Sequence, residues 1–141
     1  MTVDAENEIV EQLAAMLHEA RDPAWAEVAI EIAFADGFSQ FRTWFRSTYD
    51  GDWQPTGRYA GRSEEFAELF AALRRLMYRA GRGTWFSARL TVSDQGDFRS
   101  DYDFEHEPRF DPPVDPALYA RDLEAFPRDA ARIPSWVIRT S

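Results

Sequence analysis

The hydrophobic period changes several times along this chain, and each change marks an element. Over residues 4–20, Ile9, Leu13, Met16 and Leu17 recur at the spacing of an amphipathic helix, with Asp4 placed to cap it and Pro23 closing the segment. From Val28 the period drops to two. Val28, Ile30, Ile32 and Phe34 alternate with Ala and Glu, which predicts a half-buried strand. Asp36-Gly37 is a hairpin signal. The return strand over 38–46 sets Phe41 and Phe45 on one face, and Arg42, Trp44 and Arg46 on the other.

Residues 47–62, STYDGDWQPTGRYAGR, have no period and read as a long exposed loop. A second helix is predicted over 63–80, capped by Ser63, with Glu64 and Glu65 in its first turn. Its apolar stripe is Phe66, Leu69, Phe70, Leu73, Leu76 and Met77. Arg74, Arg75 and Arg79 lie near its C-terminus, where the helix dipole favours cations, and Gly81 is placed as its C-cap. Period two returns with Phe86, Ala88, Leu90 and Val92. The turn Asp94-Gln95-Gly96-Asp97 then leads into Phe98, Ser100, Tyr102 and Phe104, so residues 86–105 form a second hairpin. Beyond the Pro-rich stretch PRFDPPVDP a third helix follows, capped by Asp115 with Pro116 at its first position. In the tail, Ile133, Trp136 and Val137 are expected to dock on the body.

Two hairpins interleaved with helices predict an α+β domain: one antiparallel sheet of about four strands with helices packed on one face. The 141 residues suit a single domain over 1–141, with 108–141 a C-terminal helical extension. Absence of cysteine excludes disulfides and thiol chemistry. The start MTVDAENE is acidic rather than signal-like, and no apolar run reaches bilayer length, so a soluble cytoplasmic protein is expected. The net charge of −9 is unevenly spread: residues 1–41 carry −8, residues 42–89 carry +4, and residues 90–141 carry −5. Such a chain repels nucleic acid and anionic membrane and favours a basic partner.

The stretch SDQGDFRSDYDFE poses the question of chemistry. Its acids Asp97, Asp101, Asp103 and Glu105 form a like-charged row beside Asp94, explained by strand alternation as a solvated sheet face. A metal site there draws on more strands and usually on histidine, yet His18 and His106 are the only two in the chain and lack ligand spacing. A glycosidase-like pair requires two carboxylates in different environments facing a cleft. The motifs of P-loops, dinucleotide folds, zinc proteases and serine hydrolases are missing, and nothing calls for a cofactor.

Taken in order, PAWAEVAIEIAFADG, the aromatic strand FRTWF, the long loop before EEFAELFAALRRLMYRAG, and TWFSARLTVSDQGDFRSDYDFE resemble the YezG-like immunity proteins over about residues 5–107. The resemblance implies a non-enzymatic antitoxin that binds a cognate toxin of a bacterial polymorphic toxin system, usually a basic nuclease domain. Independently of it, the acidic row (Asp94, Asp97, Asp101, Asp103, Glu105) and the loop-side aromatics Trp44, Tyr49, Trp53 and Tyr59 are the candidate contact residues for such a partner. Two other readings compete: an adaptor or structural domain unrelated to toxins, and a small hydrolase using Asp101, Asp103 or His106.

Overall fold

The computed structural model describes residues 2–139. Five strands form one open antiparallel sheet: β1 (Glu27–Ala35), β2 (Phe38–Arg46), β3 (Gln54–Pro55), β4 (Ser87–Ser93) and β5 (Phe98–Asp103). Their order across the sheet is β3-β2-β1-β4-β5. The helices are α1 (Thr2–Ala20), α2 (Ser63–Leu76), α3 (Ala117–Ala125) and the short α4 (Ser135–Arg139). The protein is therefore α+β with a single antiparallel sheet, as the alternation of periods requires.

Both hairpins close as their turn residues dictate. Asp36 and Gly37 both adopt positive φ, which matches the twist of a two-residue hairpin and brings Ala35 opposite Phe38. In the second hairpin the Gly96 N–H donates to Ser93 O, and Ser93 N–H donates to Asp97 O at 2.8 Å. Gly96 supplies the left-handed residue this longer turn needs.

The main core lies between the sheet and α1/α2. Val28, Ile30 and Ile32 of β1 and Leu90 and Val92 of β4 are essentially inaccessible beneath Leu13, Leu17, Phe66 and Leu73. Each such side chain contributes about 1.5–3 kcal/mol by leaving water. A second cluster joins Ala33, Ala35 and Phe86 to Phe110, Tyr119, Trp136 and Val137. Ala33 and Ala35 alternate with the core residues of β1, so the C-terminal segment covers the lower end of the sheet's other face. β1 is accordingly buried on both sides along most of its length rather than half-buried.

Several local expectations are corrected. Asp4 lies inside the first turn of α1, which begins at Thr2, and so is not its cap. Ser63 is the first residue of α2, not its cap, because a 3₁₀ turn over Ala60–Arg62 runs directly into the helix. α2 ends at Leu76, so Gly81 does not cap it. Gly81 belongs to a tight turn closed by Arg79 N–H donating to Gly83 O at 3.1 Å. The alternation of the fourth strand breaks at its start, where Trp85 enters the main core and Phe86 the second cluster. Finally, β5 stops at Asp103, because its carboxylate accepts the N–H groups of Glu105 (3.0 Å) and His106 (2.9 Å) and turns the chain. Phe104 and Glu105 are outside the strand.

Arg74 was expected on a solvated helix end. It is instead 2% exposed and forms a fork-to-fork pair with the equally buried Asp122 of α3, at 2.6 and 2.7 Å. Its Nε donates to Trp85 O at 2.7 Å, and its guanidinium lies over Phe34 and Phe126. Asp122 also accepts the Asp36 N–H at 3.0 Å. One network thus ties α2, α3 and the β1–β2 turn together.

Candidate partner-binding face

The sheet face away from α1 and α2 carries the outward residues of four strands, and the register places them in rows. Arg46 stands beside Glu27; Trp44 beside Ala29, Thr91 and Arg99; Arg42 beside Glu31, Arg89 and Asp101; Gln40 beside Ala33, Ser87 and Asp103. Side chains adjacent across strands are about 5 Å apart and interact directly. The four acids of these rows, Glu27, Glu31, Asp101 and Asp103, face four arginines, Arg42, Arg46, Arg89 and Arg99. An acidic row is therefore present, but within a balanced mosaic.

Trp53 folds onto this face from the loop after β2. The Arg46 guanidinium lies 4.7 Å above its ring, and Arg89 lies 5.3 Å from Trp53 and 5.4 Å from Trp44. Arg46 Nε donates to Glu27 at 2.6 Å, and Arg89 pairs with Glu31 at 3.6 Å. Two tryptophans thus bracket Arg89. Tyr49 extends the same loop to the second hairpin, its hydroxyl donating to the Asp94 carboxylate. That bond pushes the Tyr49 hydroxyl above its ordinary range and holds Asp94 below the usual carboxylate range.

Between this aromatic shelf and the C-terminal segment the face opens into two adjoining depressions of about 610 and 480 Å³. They share Glu31, Ser87, Asp103 and His106. Asp103 accepts from the His106 ring at 2.9 Å. Burial raises the Asp103 carboxyl, but the His106 and Glu105 amides and the His106 ring outweigh it and leave it below the usual range. A general acid working near neutral pH relies on the opposite shift. Among the described residues, no three His, Asp or Glu side chains gather to hold a metal ion.

Of the residues singled out from sequence, Trp44, Trp53, Asp101 and Asp103 share this face. Asp97 is exposed in the β4–β5 turn and Glu105 is exposed beyond the strand, so both lie at the rim. Asp94 is a structural node as well as a surface acid. Besides its bond from Tyr49, its carbonyl is met by the His18 ring at 3.0 Å, which fastens the hairpin to α1. Tyr59 is removed from the contact set: it is 1% exposed, packs edge-on to Phe66, and donates to Leu17 O at 2.7 Å. The loop carrying it is a core-forming segment at that point, because a ring in a polar stretch still gains by leaving water. Glu31, Arg42, Arg46 and Arg89 were missed as site residues. Their outward positions were readable from alternation, but their neighbours depend on the pairing register.

No protein-family model matches the chain, and no curated protein matches it. No helix among the described residues is long and apolar enough to cross a membrane.

Proposed function

We propose that this protein is a non-enzymatic binding module of the immunity type, which sequesters a cognate protein toxin through the open part of the sheet face opposite α1 and α2. The observation that carries the reading is the pair Trp44 and Trp53 bracketing Arg89 on an open, partly exposed surface. Tryptophan and arginine are the side chains that most often dominate protein interfaces, because each combines large contact area with directional bonding. Around this shelf, Asp97, Asp101 and Glu105 form an exposed acidic rim. With a chain charge of −9, the rim speeds encounter with a basic domain, while the shelf sets how slowly the complex dissociates. The resemblance to YezG-like immunity proteins supplies the class of partner, a nuclease-type toxin domain.

The test is co-expression with a toxin-like domain, sought in the reading frames beside this gene. The parental chain is expected to restore host growth and to co-purify with the toxin. A Trp44→Ala/Trp53→Ala variant should lose at least about 2 kcal/mol of binding, roughly thirtyfold in Kd, if these are the anchors. A parental chain that neither binds nor protects would overturn the reading. Equal binding by the double variant would move the interface elsewhere.

A further inference from the structure

β5 ends the sheet, and its free edge fits a second copy of itself. The phase of the β4–β5 ladder decides which groups that edge offers. Ser93 and Asp97 form the hydrogen-bonded pair beside the turn, so in an antiparallel ladder Arg99, Asp101 and Asp103 direct their backbone groups toward β4. Phe98, Ser100 and Tyr102 therefore point their N–H and C=O groups out of the sheet. We propose that two chains pair antiparallel along β5 about a two-fold axis through Ser100, joining two five-stranded sheets into one of ten.

That register satisfies three separate demands. First, the outward groups meet as hydrogen-bonded pairs: Ser100 with the partner subunit's Ser100, and Phe98 with the partner subunit's Tyr102, twice over. Second, Arg99 falls opposite the partner subunit's Asp101 on the face away from α1 and α2, in the closely spaced pairs where side chains touch. Within one chain these two residues approach only to 3.5 Å, with side chains 72% and 61% exposed. Third, the aromatic pairs lie on the helix side, where Phe98 is otherwise left 43% exposed, beside Glu6, Val10 and Tyr102 of its own chain. A shift of two residues sets Arg99 against its own copy in one direction and Asp101 against its own copy in the other.

Charges on an edge strand ordinarily guard it against pairing. An Arg and an Asp two residues apart guard β5 against most strands, yet match their own copy run in reverse. Repulsion between two chains of −9 opposes association, and is screened beyond about 8 Å at physiological ionic strength. The pairing shares Asp101 with the acidic rim, so it is read without any toxin present.

The experiment is sedimentation of the full chain at physiological ionic strength, across about 1 µM to 1 mM. The mass should rise with concentration from 16.3 kDa to twice that value. Ser100→Pro removes the outward N–H, together with the hydroxyl that bonds Tyr102, and should leave a monomer with a nearly unchanged melting curve. Should that variant melt early, the charge pair decides. Arg99→Asp and Asp101→Arg should each weaken the dimer at least tenfold, and the double exchange should restore it. A single mass throughout, or a dimer indifferent to Ser100→Pro, overturns the proposal. So does a double exchange no better than its singles, the result expected if this edge meets a different partner.

Discussion

The Arg74–Asp122 and Arg99–Asp101 pairs use the same two chemical groups at opposite extremes of burial. The first is sealed between α2 and α3 with side chains 3% exposed, every guanidinium direction answered by a carboxylate, a carbonyl or a ring face. The second lies in solvent on the edge strand. Removing two charges from water costs more than their attraction returns unless the geometry is complete, so the buried pair fixes how the C-terminal segment docks more than it adds to stability. The exposed pair costs nothing to desolvate and is screened, so its value lies in what it can meet.

The largest effect expected from breaking this contrast is at the seam. Arg74→Ala leaves a buried carboxylate and the Trp85 carbonyl without their partner, and should destabilise the fold by about 3–5 kcal/mol in denaturant titration. Arg99→Ala in the same assay should be indistinguishable from the parent. A sharper version replaces both buried charges, Arg74→Met with Asp122→Leu, and should recover most of the loss. If the double replacement is as damaging as Arg74→Ala, the pair contributes net stability and the desolvation argument fails.

Tyr59 gives the next effect. Burial pushes its hydroxyl up to about 12, with the neighbouring arginines opposing. The folded state thus holds this proton more tightly than the unfolded chain, whose tyrosines titrate near 10. Its contribution is complete below pH 10 and is lost as pH rises toward 12. Burial likewise drives Tyr119 to about 12, so both clusters should loosen in the same alkaline window. Tyr59→Phe should cost about 1 kcal/mol at neutral pH through the lost bond to Leu17, and should make the alkaline decline shallower. An unchanged alkaline decline in this variant would place the titrating group elsewhere.

Periodicity carried four of the five strands and the helix stripes, and turn residues carried both hairpins, because those depend on neighbours within a few residues; the short β3 (Gln54–Pro55) lies in the stretch read as loop. Arg74 shows where that reasoning ends. Its position in the stripe-bearing helix was plain, but its partner lies 48 residues away in an element placed by tertiary packing. Tyr59 sits in a stretch with the composition of an exposed loop, and only the fold brings Leu17 and Phe66 around it. The acidic row was legible as a row. That arginines from β1's two neighbours and from β5 itself stand among those acids followed from register, which no single-strand pattern contains. Glu105 left the row because the Asp103 side chain competes for backbone amides and ends the strand, an effect decided by one carboxylate.

The smallest expected change in stability belongs to the rim, and it is the most informative about partner choice. Asp97 and Glu105 are exposed, and both lie outside the six residues of β5. Glu105 uses its backbone to hold Trp136, whose ring nitrogen donates to its carbonyl at 2.7 Å, so replacing its side chain leaves that bond in place. Asp97→Asn with Glu105→Gln should therefore melt like the parent. The lost charges act over a Debye length, about 8 Å at physiological salt, so they govern approach rather than the final contacts. Association with a basic toxin domain should slow, its dependence on salt should flatten, and the dissociation rate should hold. Stopped-flow mixing at two ionic strengths separates these. An unchanged association rate with the same salt slope would leave the rim as solvated surface, with recognition resting on the Trp44–Arg89–Trp53 shelf alone. A faster dissociation rate would instead place Asp97 or Glu105 within the contact, making the interface wider than the shelf.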